Sequence, residues 1–512
     1  MPSYILKSYR YKGSPLELFD IFKGDTVPFL LYSGLNFDGL GRFSFMGSGP
    51  FLTFQSKGKH IRIQRENSTE NLQENPLLKI KELLHQYRLN INLSDLPFTG
   101  GAVGYFSYDL GFMFENIPLK SKDDLNLPDC FLGLYHTILI FDHKTSQLHI
   151  FSCGLPEKDA GASQKLAESR LKEVLNRLSK FESNGIKNKL RRWENSRINL
   201  RPEWSVSMKR RFGIPKNNHT SYRIRDNQDL NLCNHISNFT KDAYIKAILK
   251  AKDYISRGDI YQLNLSQRFS AENTTEAIEL YRGLSDISPA PFSAYMDFAD
   301  FQIISSSPER FLNLNGGVVQ TRPMKGTRPR SQSVKEDAAL KKELLNSPKD
   351  KAELIMIVDL ERNDLGKVCS YGSVKADQLR NLEAYSTVYQ TTATVSGRLY
   401  PDKDCIDLLR SCFPGGSITG CPKIRAMQII EELEPTRRSI YTGSIGYLSF
   451  NGNMDLNIAI RTILKKQNKI YFQVGGGIVA DSVPELEYQE TLVKAKALFG
   501  ALSLTHEPAS IS

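Results

Sequence analysis

Cysteine is scarce in this sequence, and no two cysteines have the spacing of a metal or redox site. Seven cysteines are scattered over 512 residues, and no C-x-x-C pair occurs. An odd number without such a pair argues against a disulfide framework and against a zinc site. We therefore expect reduced thiols and a reducing, cytoplasmic compartment.

Long apolar segments are also missing. The chain contains no run of about 18 apolar residues, the length that a membrane helix needs. The first residues, MPSYILKSYRYKG, lack the apolar stretch of a secretory signal peptide. We expect neither a membrane span nor a signal peptide.

The charge is unevenly distributed. The net charge is +11, but residues 187–229 alone hold twelve Lys and Arg against four Asp and Glu, so the rest of the chain is near neutral. A basic segment raises the possibility of a nucleic-acid-binding protein. A basic insertion in an otherwise neutral enzyme explains the same numbers, and we expect no nucleic-acid partner.

Residues 1–184 have the pattern of a mixed α/β region. The strand-like segments are FLLYSGL (29–35), RFSFMG (42–47), HTILIFDH (136–143) and QLHIFSCG (147–154). FTGGAVGYFSYDLG (98–111), rich in glycine and aromatic residues, is interpreted as a turn between strands. Residues 160–184 have helical spacing of leucine and valine.

Apolar periodicity disappears between residues 185 and 237, which we predict to be a basic, mobile insertion or linker. Dense strand and helix patterns return over 238–504. They begin with the capped helix TKDAYIKAILKAKDYISRGD, which ends near Gly258, and continue with a strand over 260–269. Residues 505–512 are predicted to be a disordered tail.

The stretch TRPMKGTRPR (321–330) places Lys325 in a rigid setting. Pro323 and Pro329 fix local backbone angles, and Gly326 permits a positive φ or a close approach. A lysine held in this way is a structural cation, an anion binder or a nucleophile.

Two pairs of acidic residues have i, i+3 spacing, which puts both members of a pair on one face of a helix. Asp350 and Glu353 form the first pair, and Glu487 and Glu490 the second. Lys494 follows Glu490 by four residues, so a solvated face with an ordinary salt bridge explains the second pair. Together, the two pairs offer the carboxylates that Mg²⁺ prefers.

Two glycine-rich segments are candidates for binding an anion. Gly475 to Gly477 follow the alternating strand pattern of KIYFQV, where they form either a tight turn or an approach for an anionic ligand. Arg461 falls at a strand end, where its guanidinium is able to clamp a carboxylate. FPGGSITGCPKIRAM (413–427) is interpreted as a second glycine turn that exposes Thr419 and Lys423.

These segments together resemble one family, the chorismate-utilising enzymes. Its motifs occur here in the family's order: YQLNLS (261–266), SPERF (307–311), RPMKGT (322–327), KDKAELIMIVDLERNDL (349–365), GGSITGCPK (415–423), MDLNIAIRT (454–462), GGGIV (475–479) and PELEYQETLVKA (484–495). The N-terminal region is more weakly similar. The resemblance is to the synthase component of anthranilate and aminodeoxychorismate synthases, and it covers nearly the whole chain except the basic segment.

The resemblance implies an α+β fold in which two antiparallel sheets face each other with helices outside and chorismate between them. It implies that Glu353 and Glu490 bind Mg²⁺, with Asp350 and Glu487 nearby or acting through water. The residues it implies for holding the substrate are Gln262, Gly326, Thr327, Thr419, Tyr441, Arg461, Gly475, Gly477 and Lys494. Chorismate is a dianion, and a metal ion with arginine and backbone donors suits a dianion.

Relatives in this family differ in their nucleophile. Where water is the nucleophile a lysine activates it, and this chain has Gln262 at that position, which is not a base. Of the two aminating branches, the anthranilate branch usually has alanine where this chain has Lys325. We therefore expect the aminodeoxychorismate reaction: Lys325 attacks C2, Glu309 protonates the departing C4 hydroxyl, and ammonia then replaces the lysine at C4. For the reaction, the alternative is amination at C2 with loss of pyruvate. For Lys325, the alternative is a role as a carboxylate-binding cation. Taken alone, a glutamate such as Glu309 is more typical of a surface.

Three further expectations follow from the resemblance. The usual histidine of the strand over 386–397 is absent, and Tyr389 and Gln390 stand there, which fits an enzyme that retains the enolpyruvyl group. LLYS (30–33) replaces the L-L-E-S motif that binds feedback tryptophan, so a tryptophan site is not assumed. No G-x-C-x-G nucleophile motif of a glutaminase occurs, so a separate glutamine amidotransferase subunit is expected to supply ammonia.

Overall fold

The protein is described here by a computed structural model, which covers residues 3–35, 40–91, 93, 95–195, 235–385 and 388–503. Residues 196–234, most of the predicted basic insertion, and the predicted tail 505–512 lie outside the described residues.

The described part of the chain forms twenty-four strands. They are β1 (Tyr4–Arg10), β2 (Phe29–Tyr32), β3 (Phe43–Gly47), β4 (Leu52–Lys57), β5 (His60–Arg65), β6 (Ser68–Gln73), β7 (Gly101–Phe106), β8 (Cys130–Tyr135), β9 (Thr137–Asp142), β10 (Gln147–Cys153), β11 (Ile236–Ser237), β12 (Gln262–Glu272), β13 (Phe292–Asp297), β14 (Gln302–Ser307), β15 (Arg310–Asn315), β16 (Val318–Arg322), β17 (Met324–Pro329), β18 (Lys375–Ala384), β19 (Val388–Arg398), β20 (Gly420–Cys421), β21 (Ser444–Ser449), β22 (Met454–Asn457), β23 (Thr462–Lys466) and β24 (Lys469–Ile478).

The α-helices connect and cover these strands. They are α1 (Pro15–Leu18), α2 (Pro76–Gln86), α3 (Ala160–Asn195), α4 (Lys241–Ser256), α5 (Ala277–Ile287), α6 (Val334–Asn346), α7 (Pro348–Gly366), α8 (Cys405–Cys412), α9 (Lys423–Leu433) and α10 (Pro484–Ser503). Their starts follow the capping signals of the sequence. Thr240 Oγ1 accepts the amide of Ala243 at the start of α4, and Ser347 Oγ accepts the amide of Asp350 at the start of α7.

The strands form two antiparallel sheets of twelve strands each. The first has the order β1-β10-β9-β3-β2-β13-β14-β23-β24-β12-β11, with β20 added beside β12. The second has the order β17-β19-β16-β15-β22-β21-β7-β8-β4-β5-β6, with β18 added beside β19. Both sheets take strands from the predicted segments 1–184 and 238–504, so the two segments build one structure together.

Aromatic side chains fill the space between the sheets. The ring of Phe45 on β3 lies 5.4 Å from that of Tyr447 on β21, and the ring of Phe131 on β8 lies 4.3 Å from that of Phe298 beyond β13. Each pair joins one sheet to the other, and all four side chains are buried. The predicted arrangement of two facing antiparallel sheets with helices outside is confirmed.

The segment 98–111 differs from its interpretation as a turn. Residues 101–106 form β7, an interior strand of the second sheet, and a short 3-10 helix follows over Tyr108–Met113. The glycines are required by close packing: a Cβ on Gly104 would lie 1.9 Å from the carbonyl oxygen of Phe131. Glycine in this strand reflects the approach of a neighbouring backbone.

The helix predicted over 160–184 is longer than expected. It continues to Asn195, into the segment that we predicted to be an insertion. No helix in the described part of the chain is long and apolar enough to cross a bilayer. The six described cysteines are free thiols.

Gly104→Ala is expected to lower stability sharply, because the new methyl group meets a backbone carbonyl of the adjacent strand. We expect a loss of at least about 2 kcal/mol in the free energy of unfolding, at the upper end of overpacking effects. Thermal or denaturant unfolding measures it. The control is Gly366→Ala in α7, where an added Cβ meets no heavy atom within 4 Å. Equal stability of the two variants would contradict the packing argument.

Candidate active site

A bulge in β17 sets the direction of Lys325. The pairing of β17 with β19 shifts register between Lys325 and Thr327, and Gly326 between them has φ +72°. A Cβ on Gly326 would lie 2.8 Å from Leu344 Cδ1 and 3.1 Å from Asp350 Cβ. Only glycine suits this position, so Gly326, more than the flanking prolines, fixes the aim of the lysine.

A serine connects Lys325 to Glu309. The Lys325 ammonium donates to the carbonyl oxygen of Ser417 at 3.3 Å, and the Ser417 hydroxyl donates to Glu309 Oε1 at 2.7 Å. Three segments that are distant in sequence meet here: β17, the turn before β15, and the short 3-10 helix Gly416–Ile418.

Glu309 is buried, with 5% of its surface exposed, so the surface alternative is wrong. Burial raises its pKa to about 7, against the opposing effects of the Ser417 hydroxyl and the Lys325 charge. A carboxyl group with this pKa holds a proton near neutral pH and is able to give it up, as a general acid must.

Burial has the opposite effect on the lysine. It lowers the pKa of Lys325, although Glu353 and Glu309 favour the charged form, and the nearby Lys494 disfavours it. A lower pKa increases the fraction of neutral amine, the nucleophilic form. The pKa values of Lys325 and Glu309 are therefore shifted toward each other.

The glycine run lies in a strand, so the alternative of a tight turn is wrong. Gly475 to Gly477 belong to β24, and Gly477 pairs with Asn264 on β12. A Cβ on Gly477 would lie 2.4 Å from Gln262 Nε2 and 3.7 Å from Lys325 Nζ. The missing side chain thus leaves room where Gln262 and Lys325 meet.

Gln262 also has an unused hydrogen-bond acceptor, the amide oxygen next to the Nε2 that lies near Gly477. Its side chain is 1% exposed, and its Oε1 has no hydrogen-bond partner among the described residues. A buried acceptor without a donor is costly unless a ligand supplies one.

The first acidic pair lies at the start of α7. Asp350 is engaged by Arg328, whose Nη2 donates to Asp350 Oδ2 at 3.0 Å. Glu353 is half-buried, and burial together with the nearby carboxylates Asp350 and Glu490 raises its pKa, against the effect of the Lys325 charge.

The second pair lies at the start of α10, as its spacing predicted. Glu487 accepts the Ser482 hydroxyl at 2.6 Å, while Glu490 forms an i, i+4 salt bridge of 2.7 Å with Lys494. The Lys494 ammonium also donates to the carbonyl oxygen of Gly475 at 2.9 Å, which fixes the helix to β24.

The donors suit a magnesium ion in kind. Among the described residues, no three His, Cys, Asp or Glu side chains are grouped closely enough to hold a metal by themselves. Mg²⁺ usually takes one or two carboxylates and completes its shell with water and substrate. Glu353 comes from α7 and Glu490 from α10, and besides burial the Glu490 carboxylate raises the pKa of Glu353, so the two carboxylates fit such a site in kind.

Three further predicted substrate-binding residues, Arg461, Tyr441 and Thr419, are buried or half-buried. Arg461 has φ 49°; burial lowers its pKa, and the described residues give it no carboxylate partner. Tyr441 is buried beside Arg438, 5.8 Å from the ring centre to the guanidinium carbon. Thr419 is fully buried, and its hydroxyl donates to the Gly415 carbonyl at 3.0 Å.

The prediction that Thr419 and Lys423 are exposed is therefore wrong for both. Lys423 forms an ion pair with Asp364 and donates to the Cys412 carbonyl at 2.8 Å. It holds the turn to the α7 and α8 helices and is not free for a ligand.

Tyr389 and Gln390, which stand where relatives usually have a histidine, lie in different surroundings. Tyr389 donates to Asp337 at 2.6 Å and packs under Arg330, away from the lysine. Gln390 pairs with Thr327 across β17 and β19, and its Nε2 donates to Thr327 Oγ1 at 3.3 Å. Gln390 is therefore the residue beside the lysine bulge.

Comparison with known proteins identifies the family of this chain. A family model described as chorismate binding enzyme matches residues 37–500. The chain belongs to the chorismate-binding enzyme family. Relatives include an anthranilate synthase component 1 of Acetivibrio thermocellus, 38% identical over 97% of this chain and 94% of the relative. Another is an aminodeoxychorismate synthase component 1 of Bacillus subtilis (strain 168), 36% identical over 92% of this chain and 91% of the relative.

A solved structure from the same family confirms the fold. The anthranilate synthase component I of Streptococcus pneumoniae TIGR4 superposes with a TM-score of 0.72 and 32% identity, covering 91% of this chain and 94% of that one. Full-length similarity to named synthases shows that the chain is a chorismate-utilising enzyme of the aminating group. Identity to the two branches is nearly equal and does not choose between them.

Two site residues were missed by the sequence analysis. Ser417 lies inside the recognised GGSITG segment, but only the fold shows that it connects Lys325 to Glu309. Arg328 follows the lysine motif closely, and its pairing with Asp350 depends on the packing of β17 against α7.

Infrared spectroscopy of the carboxyl group tests the state of Glu309. The wild type minus Glu309→Gln difference spectrum should contain a protonated carboxyl band that is lost with a midpoint near pH 7, since burial raises this pKa to about 7. Ser417→Ala should move the midpoint upward, because it removes a donor to the carboxylate. A wild-type midpoint at the ordinary value of 4.5 would contradict the buried site.

Proposed function

We propose that the protein is the synthase component of an aminodeoxychorismate synthase, which replaces the C4 hydroxyl of chorismate by an amino group. The observation that carries the proposal is Lys325, held by the Gly326 bulge and linked through Ser417 to the buried acid Glu309. The anthranilate alternative has no use for a nucleophile with a lowered pKa at this point.

The first step joins Lys325 to the substrate. The neutral amine attacks C2, the two ring double bonds shift, and the bond from C4 to oxygen breaks. Glu309 gives its proton to the leaving oxygen, which departs as water. The lysine nitrogen then carries the positive charge, and Glu309 the negative charge.

The second step reverses the shift. Ammonia attacks C4, the double bonds return to their first positions, and the lysine leaves C2 as a neutral amine. The ammonium group formed at C4 returns a proton to Glu309. The sum is chorismate and ammonia giving 4-amino-4-deoxychorismate and water, with the enolpyruvyl ether intact.

Binding of the dianionic substrate is assigned to the surrounding residues. Arg461, which has no carboxylate partner among the described residues, pairs with a substrate carboxylate. Gly477 is proposed to leave room for the substrate beside Gln262 and Lys325. Gly475, Tyr441, Thr419 and Lys494 are the other residues proposed to bind it. Thr327, with Gly326, shapes the floor beside Gln390.

Glu353 and Glu490 are the proposed ligands of Mg²⁺, with Asp350 and Glu487 behind them. When bound, the ion supplies positive charge to a substrate carboxylate. Among the residues of the chain, Ser482 and Arg328 hold the two rear carboxylates in place.

Ammonia is proposed to come from a separate glutamine amidotransferase subunit, and the product to serve 4-aminobenzoate and folate synthesis in the cytoplasm. We assign to Gln262, whose Oε1 has no hydrogen-bond partner among the described residues, the role of accepting a hydrogen bond from ammonia. Amide oxygen orients a nucleophile but does not deprotonate one, which suits ammonia better than water.

Product analysis tests the proposal. The enzyme is incubated with chorismate, Mg²⁺ and an ammonium salt, and the products are separated with and without added aminodeoxychorismate lyase. We expect 4-aminobenzoate only with the lyase. Lys325→Ala should form no aminodeoxychorismate, because the nucleophile is gone, while Lys23→Ala, a change in an exposed ion pair with Glu276, should behave as wild type.

Two outcomes would contradict the proposal. Fluorescent anthranilate formed by the wild type without a lyase would assign the C2 reaction instead. Undiminished aminodeoxychorismate formation by Lys325→Ala would remove the nucleophile and leave Lys325 as a binding cation.

A further inference from the structure

A fully buried ion pair lies beside the segments of Thr419 and Tyr441, which are proposed above to bind the substrate. It takes no part in the proposed steps. Arg438 and Glu434 each have 1% of the side chain exposed. The guanidinium grips the carboxylate twice, with Nη2 to Oε1 at 2.8 Å and Nε to Oε2 at 3.0 Å. Such a pair is costly to bury, so its contacts deserve a physical explanation.

The remaining donors of Arg438 reach backbone in two separate segments. Nη1 donates to the Ile418 carbonyl at 2.9 Å, and Nη2 donates to the Asn264 carbonyl at 2.6 Å. The amide of Asn264 in turn donates to the Thr419 carbonyl at 2.8 Å. One guanidinium therefore fixes the glycine turn and the start of β12 relative to each other.

Glu434 holds the same strand from the other side of the pair. The amide and the hydroxyl of Ser266 both donate to Glu434 Oε1, each at 2.8 Å. The Arg438 guanidinium lies between two rings, 4.8 Å from Tyr108 and 5.8 Å from Tyr441.

The loop that carries Tyr441 is strained. Ser439 has φ 52° and Thr442 has φ 60°, the left-handed region that a β-branched residue rarely adopts. Arg438 Nη1 contacts Thr442 Oγ1 at 3.4 Å, and the Thr442 amide donates to the Ala459 carbonyl at 2.8 Å. Surrounding contacts must hold such a backbone, because it relaxes without them.

We propose that Arg438, in its pair with Glu434, is a positioning residue that sets the affinity for chorismate. It holds the segments of Asn264, Ile418–Thr419 and Tyr441–Thr442 as one wall. The inference rests on the proposed function only in taking chorismate as the ligand. It does not depend on which carbon is aminated.

A purely structural role predicts a different outcome from a positioning role. Replacing a buried ion pair by apolar residues of similar size is often neutral or stabilising. A structural pair is therefore replaceable as a unit, whereas an apolar pair cannot hold the Ile418 and Asn264 carbonyls that Arg438 holds.

The test is the double variant Arg438→Met/Glu434→Leu, assayed by chorismate consumption with saturating ammonium. We expect a lower midpoint of thermal unfolding, because the Ile418 and Asn264 carbonyls lose their donor, so the assay is run well below that midpoint. KM for chorismate should rise at least about tenfold, the equivalent of one charge-assisted hydrogen bond, with a smaller change in kcat. An unchanged KM in the folded double variant would overturn the proposal.

The matched control is Arg268→Met/Asp124→Leu. Arg268 also lies on β12 and is 8% exposed, and its Nη1 donates to Asp124 Oδ1 at 2.9 Å. This pair joins β12 to the N-terminal region and does not contact the segments Ile418–Thr419 and Tyr441–Thr442. Its KM should equal that of wild type, and a rise matching that of the first double variant would overturn the specific role of Arg438.

If the first double variant does not fold, Thr442→Gly tests the positioning role of Arg438 instead. Glycine adopts the positive φ without strain, so stability should be kept, while the loop gains freedom and loses the hydroxyl beside Arg438. We expect KM to rise about fivefold, the scale of one neutral hydrogen bond. An unchanged KM here would overturn the proposal. Product identity plays no part in these measurements, so a failure of the proposed function appears separately, in the product analysis.

Discussion

The site depends on the two hydrogen bonds of Ser417, which hold a half-buried cation and a buried acid close together. Taken alone, Lys325 and Glu309 would each be costly to bury. Burial moves the pKa of the lysine down and that of the glutamate up to about 7, so it favours the neutral amine and the protonated acid together. Nucleophile and acid are thus prepared by the same desolvation.

The fold provides that desolvation by bringing the segments together from both sheets. β17 and the turn before β15 belong to the second sheet, whereas β12 and β24 belong to the first. Away from the site, aromatic packing such as Phe45 against Tyr447 holds the two sheets together. Charged side chains are therefore accommodated at the end of the sheets that carries the site. The buried pair of Arg438 and Glu434 gives that end a second fixed frame.

Part of this arrangement was predictable from local sequence. The cap at Thr240 marked one helix, i, i+3 spacing placed the acidic pairs on helices, and Gly326 signalled an unusual backbone at the lysine. These features depend on neighbours within a few residues. The family resemblance added the facing sheets, which the comparisons confirm.

The rest depends on neighbours that are distant in sequence. Gly104 forms part of a strand because the Phe131 backbone passes next to it, and glycine composition suggested a turn instead. Thr419 is buried and donates to the Gly415 carbonyl, and Lys423 is half-buried and paired with Asp364. No local pattern shows that Ser417 connects Lys325 to Glu309. Only the strand pairing shows that Gln390 lies opposite Thr327.

The central claim is that Lys325 forms a bond to the ring of chorismate, and intact-mass spectrometry tests it most directly. The protein is incubated with chorismate and Mg²⁺ in the absence of any ammonia source, and then digested. The account predicts a mass increase equal to chorismate minus water, located on the peptide that contains Lys325 and discharged when ammonium is added. An unmodified Lys325 in enzyme that aminates chorismate at C4 once ammonium is present would contradict it.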